Sequence, residues 1–470
     1  MGILWNSGSR SVPFYFAASL FGLPAGAEGA ADGARQQSAG AQPAQGSSGS
    51  ELSPAAAVLL NPFKVTVCDG DETHFLLPRK SALFEAVVGG GRRFYEEILS
   101  QKPVRELDAS EWAGLAMRRG ILVEFKVPVR QDMLKWALSM YNTASNAPAQ
   151  VDKLLIAPDD SAAKPVVSLY VLSAGKVAQF HSASADYAGI RALLDDSLET
   201  LGMDNQNVAR YKMISEFGGS RFPGFSSGVL CVVDGQKTNI YRKLKYSSPT
   251  DVRDKSELEN IILGNDVYSY NRSLDFSDTL VFKNITSIYR LTKDGFMDYS
   301  YAPAAQPFEK GSLVGALRNA LGFVMNIEGQ LLGGAGLYLS GVYEGESDLA
   351  YRFTFDYILD DYPIYFQYLQ KQGESTLVYQ NAVSVYANGS RTLSCKWTLV
   401  DLFFGTDVKR MQTYFQTIDS GESLADMPVR DISIAYYIDM NSYTGSSSLW
   451  PVWALELDNG EVQMIPMRDG

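Results

Sequence analysis

Three pairs of adjacent acidic residues are the first groups in this sequence that could do chemistry: Asp159-Asp160, Asp195-Asp196 and Asp360-Asp361. Two carboxylates that face each other across a cleft can hydrolyse a glycosidic bond. Adjacent residues in a strand point to opposite faces, however, and Asp195-Asp196 lies in an amphipathic helical pattern. The sequence identifies no distant carboxylate partner for any pair, so we expect solvated surface acids.

The two histidines, His74 and His181, offer little for catalysis or metal binding. A histidine that acts as a general base needs an acid that orients it, and none is predicted beside His181, which lies in or near a strand. His74 follows Asp69-Gly70-Asp71-Glu72-Thr73, a turn without the ligand spacing and the distal Glu of a calcium loop. We therefore expect a half-exposed His181 and a charged hairpin tip before His74.

The cysteines and the glycine runs predict no site either. Cys68, Cys231 and Cys395 lie in separate strand-like runs, whereas a metal site needs close pairs, so we expect buried free thiols. Gly333-Gly334-Ala335-Gly336 precedes a strand and lacks the Lys-Ser or Lys-Thr of a phosphate loop. Gly89-Gly90-Gly91 favours a break within a helical pattern. The sequence thus predicts no catalytic residue, no metal and no cofactor.

Composition limits the remaining functions. With 470 residues and 46% hydrophobic residues, the chain is long enough for about three domains at roughly 100–200 residues each. The 41 Lys and Arg residues against 53 Asp and Glu residues give a net charge of −12. Nucleic-acid binding and adhesion to anionic lipid both need clustered basic charge. We therefore expect neither a nucleic-acid partner nor a polybasic membrane contact.

Residues 1–27 form a leader whose type the sequence leaves open. Phe14–Leu23 is apolar and follows Arg10, and Ala25-Gly26-Ala27 has the small-x-small form of a signal-peptide cleavage site. Because this run is shorter than the roughly 20 residues that span a bilayer, Met1–Trp5 is alternatively the outer end of a membrane anchor that begins upstream. A cytoplasmic tail is the third interpretation. Residues 28–55 have the composition of a disordered linker.

Residues 56–205 combine strand and helix patterns and predict an N-terminal α+β domain. Apolar residues alternate in the predicted strands, while the predicted helices have apolar residues at a spacing of three and four. Gly202 closes the last helix as a C-cap. The predicted strands are Phe63–Cys68, Ile121–Val127, Leu154–Ile156 and a hairpin of Val166–Val171 with Val177–His181, and the predicted helices are Ser81–Ser100, 131–142 and the stripe Ile190, Leu194, Leu198 and Leu201.

An internal repeat is the most informative feature of the second half. Two domain-sized segments, 276–372 and 373–470, show the same order of elements, ββαββ. The first begins with a hairpin that turns at Asp294-Gly295 and continues with a helix over 309–325. It ends with two strands, and the second of these opens with Tyr362-Pro363-Ile364-Tyr365. Each unit is expected to be an antiparallel sheet covered by one helix.

The second unit repeats these signals. Its hairpin turns at Asn388-Gly389, the strongest short signal for such a turn. A helix is predicted over 407–418, and the last strand opens with Trp450-Pro451-Val452-Trp453, again an aromatic, a proline, an aliphatic and an aromatic residue. Between the N-terminal domain and the repeat, the connecting region 206–275 contains a predicted hairpin over Asp234-Gly235.

This layout resembles the YycH/YycI family of extracytoplasmic regulators, which accompany the WalK (YycG) sensor kinase of Gram-positive bacteria. Besides the duplicated unit and the two aromatic-proline signatures, the resemblance includes Ile434-Ala435-Tyr436-Tyr437, Phe355-Asp356-Tyr357 and Ala454-Leu455-Glu456-Leu457-Asp458-Asn459-Gly460. The N-terminal α+β region, with Glu111-Trp112 before the strand Ile121–Val127, makes the chain more similar to YycH than to the shorter YycI.

The resemblance implies an N-terminal membrane anchor, a folded part outside the cell and a role without catalysis. The implied partners are the sensor histidine kinase and a YycI-like sister protein, and the implied effect is a change in the kinase's signalling state. The family supplies no short motif of functional residues, so no interface residue is assigned. The leader departs from the family because it contains no complete membrane-spanning segment.

Two other functions remain open at this level. The free faces of antiparallel sheets also suit a sensor module that binds cell-wall fragments or peptides, and a deep aromatic-lined pocket would favour it. A cell-wall hydrolase would need two carboxylates about 5–10 Å apart across a cleft. Flat sheet surfaces would instead favour the regulatory protein.

Overall fold

The structure is a computed structural model that describes residues 54–467, apart from 72, 141–142, 145, 161–163, 203–209, 214–229, 234–239, 276–277, 302–308, 332–334, 345–349, 371–375, 412–428, 441–445 and 458–460. The predicted leader, 1–27, and nearly all of the predicted linker, 28–55, lie outside this part of the chain. No helix in the described part is both long and apolar enough to cross a membrane. The described part combines a few helices with largely antiparallel sheets, which confirms the predicted α+β class.

The N-terminal half builds a nine-stranded antiparallel sheet from strands whose apolar residues alternate between the faces. Central strands such as β1 are buried along their whole length, because both faces of the sheet are covered. In spatial order the strands are β3 (Arg105–Asp108), β7 (Lys176–Ser182), β6 (Val166–Ser173), β5 (Gln150–Asp159), β4 (Gly120–Arg130), β1 (Lys64–Cys68), β2 (His74–Leu76), β8 (Arg210–Met213) and β9 (Leu230–Val233).

Five α-helices of the described residues accompany this sheet, and the longest contradicts one prediction. The glycine run 89–91 does not interrupt its helix, because Phe94, Ile98 and Leu99 on the following turns are buried in the core. Their burial outweighs the cost of about 1 kcal/mol for each helical glycine. The helices are α1 (Pro54–Leu60), α2 (Ala82–Ser100), α3 (Trp112–Ala116), α4 (Gln131–Leu138) and α5 (Tyr187–Gly202), and α4 and α5 confirm the predicted amphipathic helices.

The C-terminal half forms a second, thirteen-stranded sheet. The described residues of this half also form the α-helices α6 (Pro249–Val252), α7 (Lys255–Leu263) and α8 (Leu313–Leu331). Its described pairs are antiparallel apart from β17 with β22. In spatial order the strands are β11 (Asn271–Leu274), β12 (Leu280–Lys283), β13 (Ser287–Leu291), β14 (Phe296–Tyr301), β20 (Thr392–Thr398), β19 (Val383–Ala387), β16 (Tyr351–Leu359), β17 (Tyr362–Gln370), β22 (Val429–Asp439), β24 (Val452–Leu457) and β25 (Val462–Pro466), with β15 (Ala335–Glu344) on β16 and β18 (Thr376–Gln380) on β17.

Strands of both predicted units lie in this one sheet. Strand β14 of the first unit pairs with β20 of the second, and β16 pairs with β19. Both predicted hairpin turns are present, and at the first the backbone requires glycine. Gly295 has a φ of +81°, and a Cβ placed there would lie 2.5 Å from the Leu399 carbonyl oxygen. The unit bounds 276–372 and 373–470 stay a prediction.

One predicted element of the second half is wrong, and another lies outside the described residues. The helix over 407–418 begins within a strand, β21 (Asp401–Arg410), and residues 412–418 of the prediction lie outside the described part. The spacing of Val408 and Met411 fits a helix, but pairing with β10 (Ile240–Ser247) decides the conformation. The predicted turn of the other hairpin, Asp234-Gly235, lies outside the described part. Of the strands on either side of it, β9 pairs with β8, whereas β10 pairs with β21 and with β23 (Ser446–Leu449) in a separate three-stranded sheet.

Candidate functional site

Six charged side chains meet where the N-terminal sheet contacts the C-terminal one, and we call them the charged seam. The lysines come from strands β1, β4 and β5, and two of the three acids come from β22 and β24, more than 300 positions away in sequence. Strand pairing brings the N-terminal members together, because Glu124 lies opposite Lys64 and Lys153. The members are Lys64, Glu124, Lys126, Lys153, Asp431 and Glu456.

The seam consists of three ion pairs of low exposure. Lys64 Nζ lies 3.2 Å from Asp431 Oδ1, and the Lys64 side chain is only 8% exposed. Lys126 donates to Glu456, and their side chains are 10% and 14% exposed. Lys153 Nζ lies 2.5 Å from Glu124 Oε1. The three lysines therefore balance the three acids, as buried charges must if they are to be tolerated. Arg430, which is half-exposed, lies 3.9 Å from Glu456 Oε1 at the margin of the seam.

Electrostatics in the seam favours the ionised forms. Burial alone raises the pKa of Asp431, but the ammonium groups of Lys64, Lys126 and Lys153 outweigh it and hold that pKa below its usual value. For Lys126, burial lowers the pKa, whereas Tyr365, Glu456 and Asp431 raise it further than burial lowers it. A carboxylate with a lowered pKa stays ionised at neutral pH and cannot act as a general acid. The seam is therefore a structural junction between the two sheets.

A small cavity adjoins the seam, bounded by Phe63, Lys126 and Tyr338, with the Phe63 and Tyr338 rings 5.1 Å apart. Its volume of about 20 Å³ is enough for about one water molecule. A sugar or a peptide needs a cleft of several hundred Å³. This cavity is therefore no binding site for the cell-wall fragments or peptides of the sensor hypothesis.

The first two predicted acid pairs do not form a catalytic site. Asp159 is buried and accepts hydrogen bonds from Ser168 Oγ at 3.1 Å and Tyr170 Oη at 3.4 Å. Its neighbour Asp160 is exposed and accepts from Tyr187. Asp195 and Asp196 lie exposed on α5, where Asp195 pairs with Arg119. Asp159 thus contradicts the prediction of solvated surface acids, while the other three residues agree with it.

The third pair lies in the turn between β16 and β17. Asp360 has a φ of +54° and pairs with Lys80 Nζ at 2.7 Å. Asp361 accepts a hydrogen bond from the Arg79 backbone N–H at 3.0 Å, and burial raises its pKa to about 6. Both acids therefore hold this turn against the loop before α2.

The histidines and cysteines are placed mostly as expected. The turn Asp69–Thr73 joins β1 to β2, and Asp69 Oδ1 accepts from the Asp71 and Thr73 backbone N–H groups. His74 itself is fully buried, which lowers its pKa to about 4, and His181 is half-buried on β7. Cys68 and Cys395 are buried free thiols, as predicted. The Cys231 side chain is not among those that the structure describes. No cluster of three potential metal ligands occurs among the described residues.

A second charged region lies on the small sheet β21-β10-β23, and we call it the basic edge. The Trp450 ring has Lys243 Nζ at 5.7 Å and Lys409 Nζ at 5.6 Å from its centroid. Phe403 and Val408 on β21 are 48% and 61% exposed, unusual values for large apolar side chains in a strand. Its members are Arg242, Lys243, Lys245, Phe403, Val408, Lys409, Arg410 and Trp450.

Sequence reasoning missed both regions. A signal for the seam was present in Lys64-Val65-Thr66-Val67-Cys68, where the lysine occupies the same strand face as Thr66 and Cys68. A charged residue on a buried face needs a partner, but the alternation cannot identify an acid 367 positions away. The basic edge was missed because the helix predicted over 407–418 includes Val408, Lys409 and Arg410 of β21, and because no pairing of β21 with β10 was predicted.

Comparison with solved structures finds this fold in YycH. The crystal structure of YycH from Bacillus subtilis aligns with 88% of this chain and 98% of its own length, at a TM-score of 0.52 and 12% sequence identity. A crystal structure of an uncharacterized protein from Eubacterium rectale ATCC 33656 covers 49% of this chain and 83% of its own, at 12% identity and a TM-score of 0.27, which establishes no shared fold. No protein-family model matches, and no curated sequence does. The chain therefore has a YycH-like fold.

Proposed function

We propose that this chain is a non-enzymatic extracytoplasmic regulator that modulates a two-component sensor histidine kinase through protein–protein contacts. The observation that carries the proposal is the YycH-like fold, which extends over 88% of the chain. The proposed partners are the kinase and a YycI-like sister protein. The proposed location is the outer face of a Gram-positive cell membrane, with an N-terminal segment as the anchor.

The chemistry of the described residues supports a role in binding. The acids that converge in the seam are each paired with a lysine, and the pKa of Asp431 is lowered. A glycosidase needs one carboxyl group that keeps its proton near neutral pH beside a second carboxylate. Asp361, whose pKa is raised to about 6, instead packs beside Arg79, and its neighbour Asp360 is held by Lys80. This arrangement argues against the hydrolase hypothesis.

A regulator of this kind acts by binding one conformation of the kinase better than another. A shift from one dominant state to the other requires about a 10⁴-fold difference in affinity between the two states. A large interface or several weaker ones can supply that difference. The charged seam would keep the two sheets in one relative position, so that contacts on both act together.

The test is reconstitution with the proposed partners, a WalK-type sensor kinase and a YycI-like sister protein from the same organism. The kinase is placed in nanodiscs, and its autophosphorylation rate is measured with and without this chain and its sister. We expect co-purification of the three proteins and a change in that rate. Intact partners that neither bind the chain nor respond to it would contradict the proposal.

A matched measurement addresses the sensor alternative. Muropeptides and peptidoglycan fragments are titrated into the same preparation by calorimetry. Binding of such a fragment without any contact with the kinase would favour the ligand-binding module over the regulator. Loss of peptidoglycan mass on incubation would instead indicate a hydrolase.

A further inference from the structure

We propose that the basic edge is the docking surface for an acidic extended segment of a partner protein. This inference rests on the proposed function and adds to it the surface and the charge of the partner. Among the described strands, β21 pairs with β10 and has no neighbour on its other side. An edge strand presents backbone N–H and C=O groups to which an extended segment can bind.

The positive charge of the basic edge favours an acidic partner segment. Strand β10 carries three cations, Arg242, Lys243 and Lys245, while β21 carries two cations and two acids, so the two strands together have a charge of +3. Asp401, one of those acids, lies at the end of β21 beside Arg253 at 3.3 Å. The whole chain has a charge of −12. An acidic segment is therefore repelled by the molecule as a whole and attracted here, which orients the encounter.

The side chains at the edge suit a protein rather than a simple anion. Lys245 lies opposite Phe403 and Arg242 lies opposite Val408 in the β10–β21 register, so that exposed apolar and cationic groups alternate. Trp450, between Lys243 and Lys409, adds an aromatic group of the type that dominates interface energetics. A partner segment in which acidic and apolar residues alternate would complement both kinds of group.

A β-bulge in the β10–β21 pair makes the edge of β21 less able to accept an arbitrary extra strand. The register shifts between Arg242 and Leu244, opposite Phe404 and Val408 on β21, so the regular edge is divided into two short parts. Bulges of this kind disfavour indiscriminate addition of another strand. Backbone pairing alone would then be weak, and side-chain charge would supply the specificity.

The experiment compares two double variants with the same change in net charge. Arg242→Glu/Lys245→Glu reverses two exposed cations at the basic edge, and Lys176→Glu/Lys255→Glu reverses two exposed cations elsewhere. The probes are the kinase ectodomain and the sister protein of the proposed function. Binding is measured by biolayer interferometry at several salt concentrations, after circular dichroism shows that both variants are folded.

We expect the first variant to bind at least one probe about tenfold more weakly than the wild type, with a weaker salt dependence, and the second to bind within about twofold. In wild-type complexes, carbodiimide should crosslink Lys243 or Lys245 to a carboxylate of the probe and leave Lys176 unlinked. Equal affinity of both variants would overturn this inference while the proposed function stands. Failure of the wild type to bind either probe would overturn both.

A vesicle-binding experiment tests whether the basic edge binds an anionic membrane instead of a protein. Vesicles of phosphatidylglycerol and phosphatidylcholine are mixed with the wild type and both variants. No binding supports the inference. Vesicle binding that the Arg242→Glu/Lys245→Glu variant loses, together with unchanged binding to both protein probes, would assign the basic edge to a membrane and overturn it.

Discussion

Asp431→Asn tests the charged seam directly, because it removes one charge and almost no volume. Lys64, only 8% exposed, would keep its charge and lose the carboxylate 3.2 Å away. Removal of one partner from a buried ion pair costs about 3–5 kcal/mol. Because 25% of the Asp431 side chain is exposed, we expect a loss near the lower end, about 3 kcal/mol in the free energy of unfolding.

The assay is urea unfolding at pH 7, followed by tryptophan fluorescence, since Trp453 is buried near the seam. The midpoint should fall while the m-value stays the same, which indicates a change in stability rather than in the surface exposed. Asp160→Asn is the matched control, because that carboxylate is 69% exposed and lies 3.9 Å from Arg191. It should change stability by less than about 0.5 kcal/mol. Equal midpoints for the two variants would refute the reasoning.

Two further measurements follow from the same pair. Lys64→Met/Asp431→Leu replaces both charges, and it should be more stable than Asp431→Asn, because no uncompensated charge remains. The folded-state pKa of Asp431 lies below its unfolded value of 3.8. The carboxylate's contribution is therefore present above pH 3.8 and is lost as the pH falls through the folded pKa. The stability difference between wild type and Asp431→Asn should accordingly shrink in acid.

Four further predictions concern the stability of single variants outside the seam. His74 has a folded pKa of about 4 against 6.5 unfolded, so wild type should lose about 3 kcal/mol relative to His74→Leu as the pH falls from 6.5 to 4, measured by thermal unfolding; a constant difference would contradict this. Asp361 has a raised folded pKa of about 6, so Asp361→Asn should gain stability relative to wild type as the pH rises from 4 to 6, and a falling difference would be inconsistent with burial as the cause. Gly295→Ala should cost about 2–4 kcal/mol, because the residue has a φ of +81° and the Leu399 carbonyl lies 2.5 Å from the new Cβ. Gly89→Ala, which meets no atom within 4 Å in α2, should stabilise by about 1 kcal/mol, and the opposite order in melting temperature would refute the comparison.

Local signals in the sequence were sufficient for many elements. The helix predicted over 309–325 is α8, Leu313–Leu331, and its stripe of Leu313, Leu317, Leu321 and Val324 is buried. The turn signals Asp294-Gly295 and Asn388-Gly389 correctly predicted two hairpins. In the second turn, the Asn388 side chain accepts hydrogen bonds from two backbone N–H groups. These signals are reliable because turn geometry and helical periodicity depend on neighbours within about four residues.

The same local rules failed where a distant strand decided the outcome. Val408 and Met411 have helical spacing, yet β21 is extended because β10, more than 150 positions earlier, pairs with it. The glycine run in α2 stays helical because the residues after it are buried in the core. In both segments the intrinsic preference was worth about 1 kcal/mol for each residue, less than the tertiary contacts that opposed it.

Short segments were sufficient to predict the α+β class and the hairpin turns at Asp294-Gly295 and Asn388-Gly389, because periodicity and turn chemistry are local properties. Tertiary contacts decided that strands of both predicted units lie in one sheet, that Lys64 meets Asp431, and that β10 and β21 pair to form the basic edge. The physical reason is that the energy of a buried charge or an unpaired strand edge depends on residues hundreds of positions away. No local pattern in the chain identifies those residues.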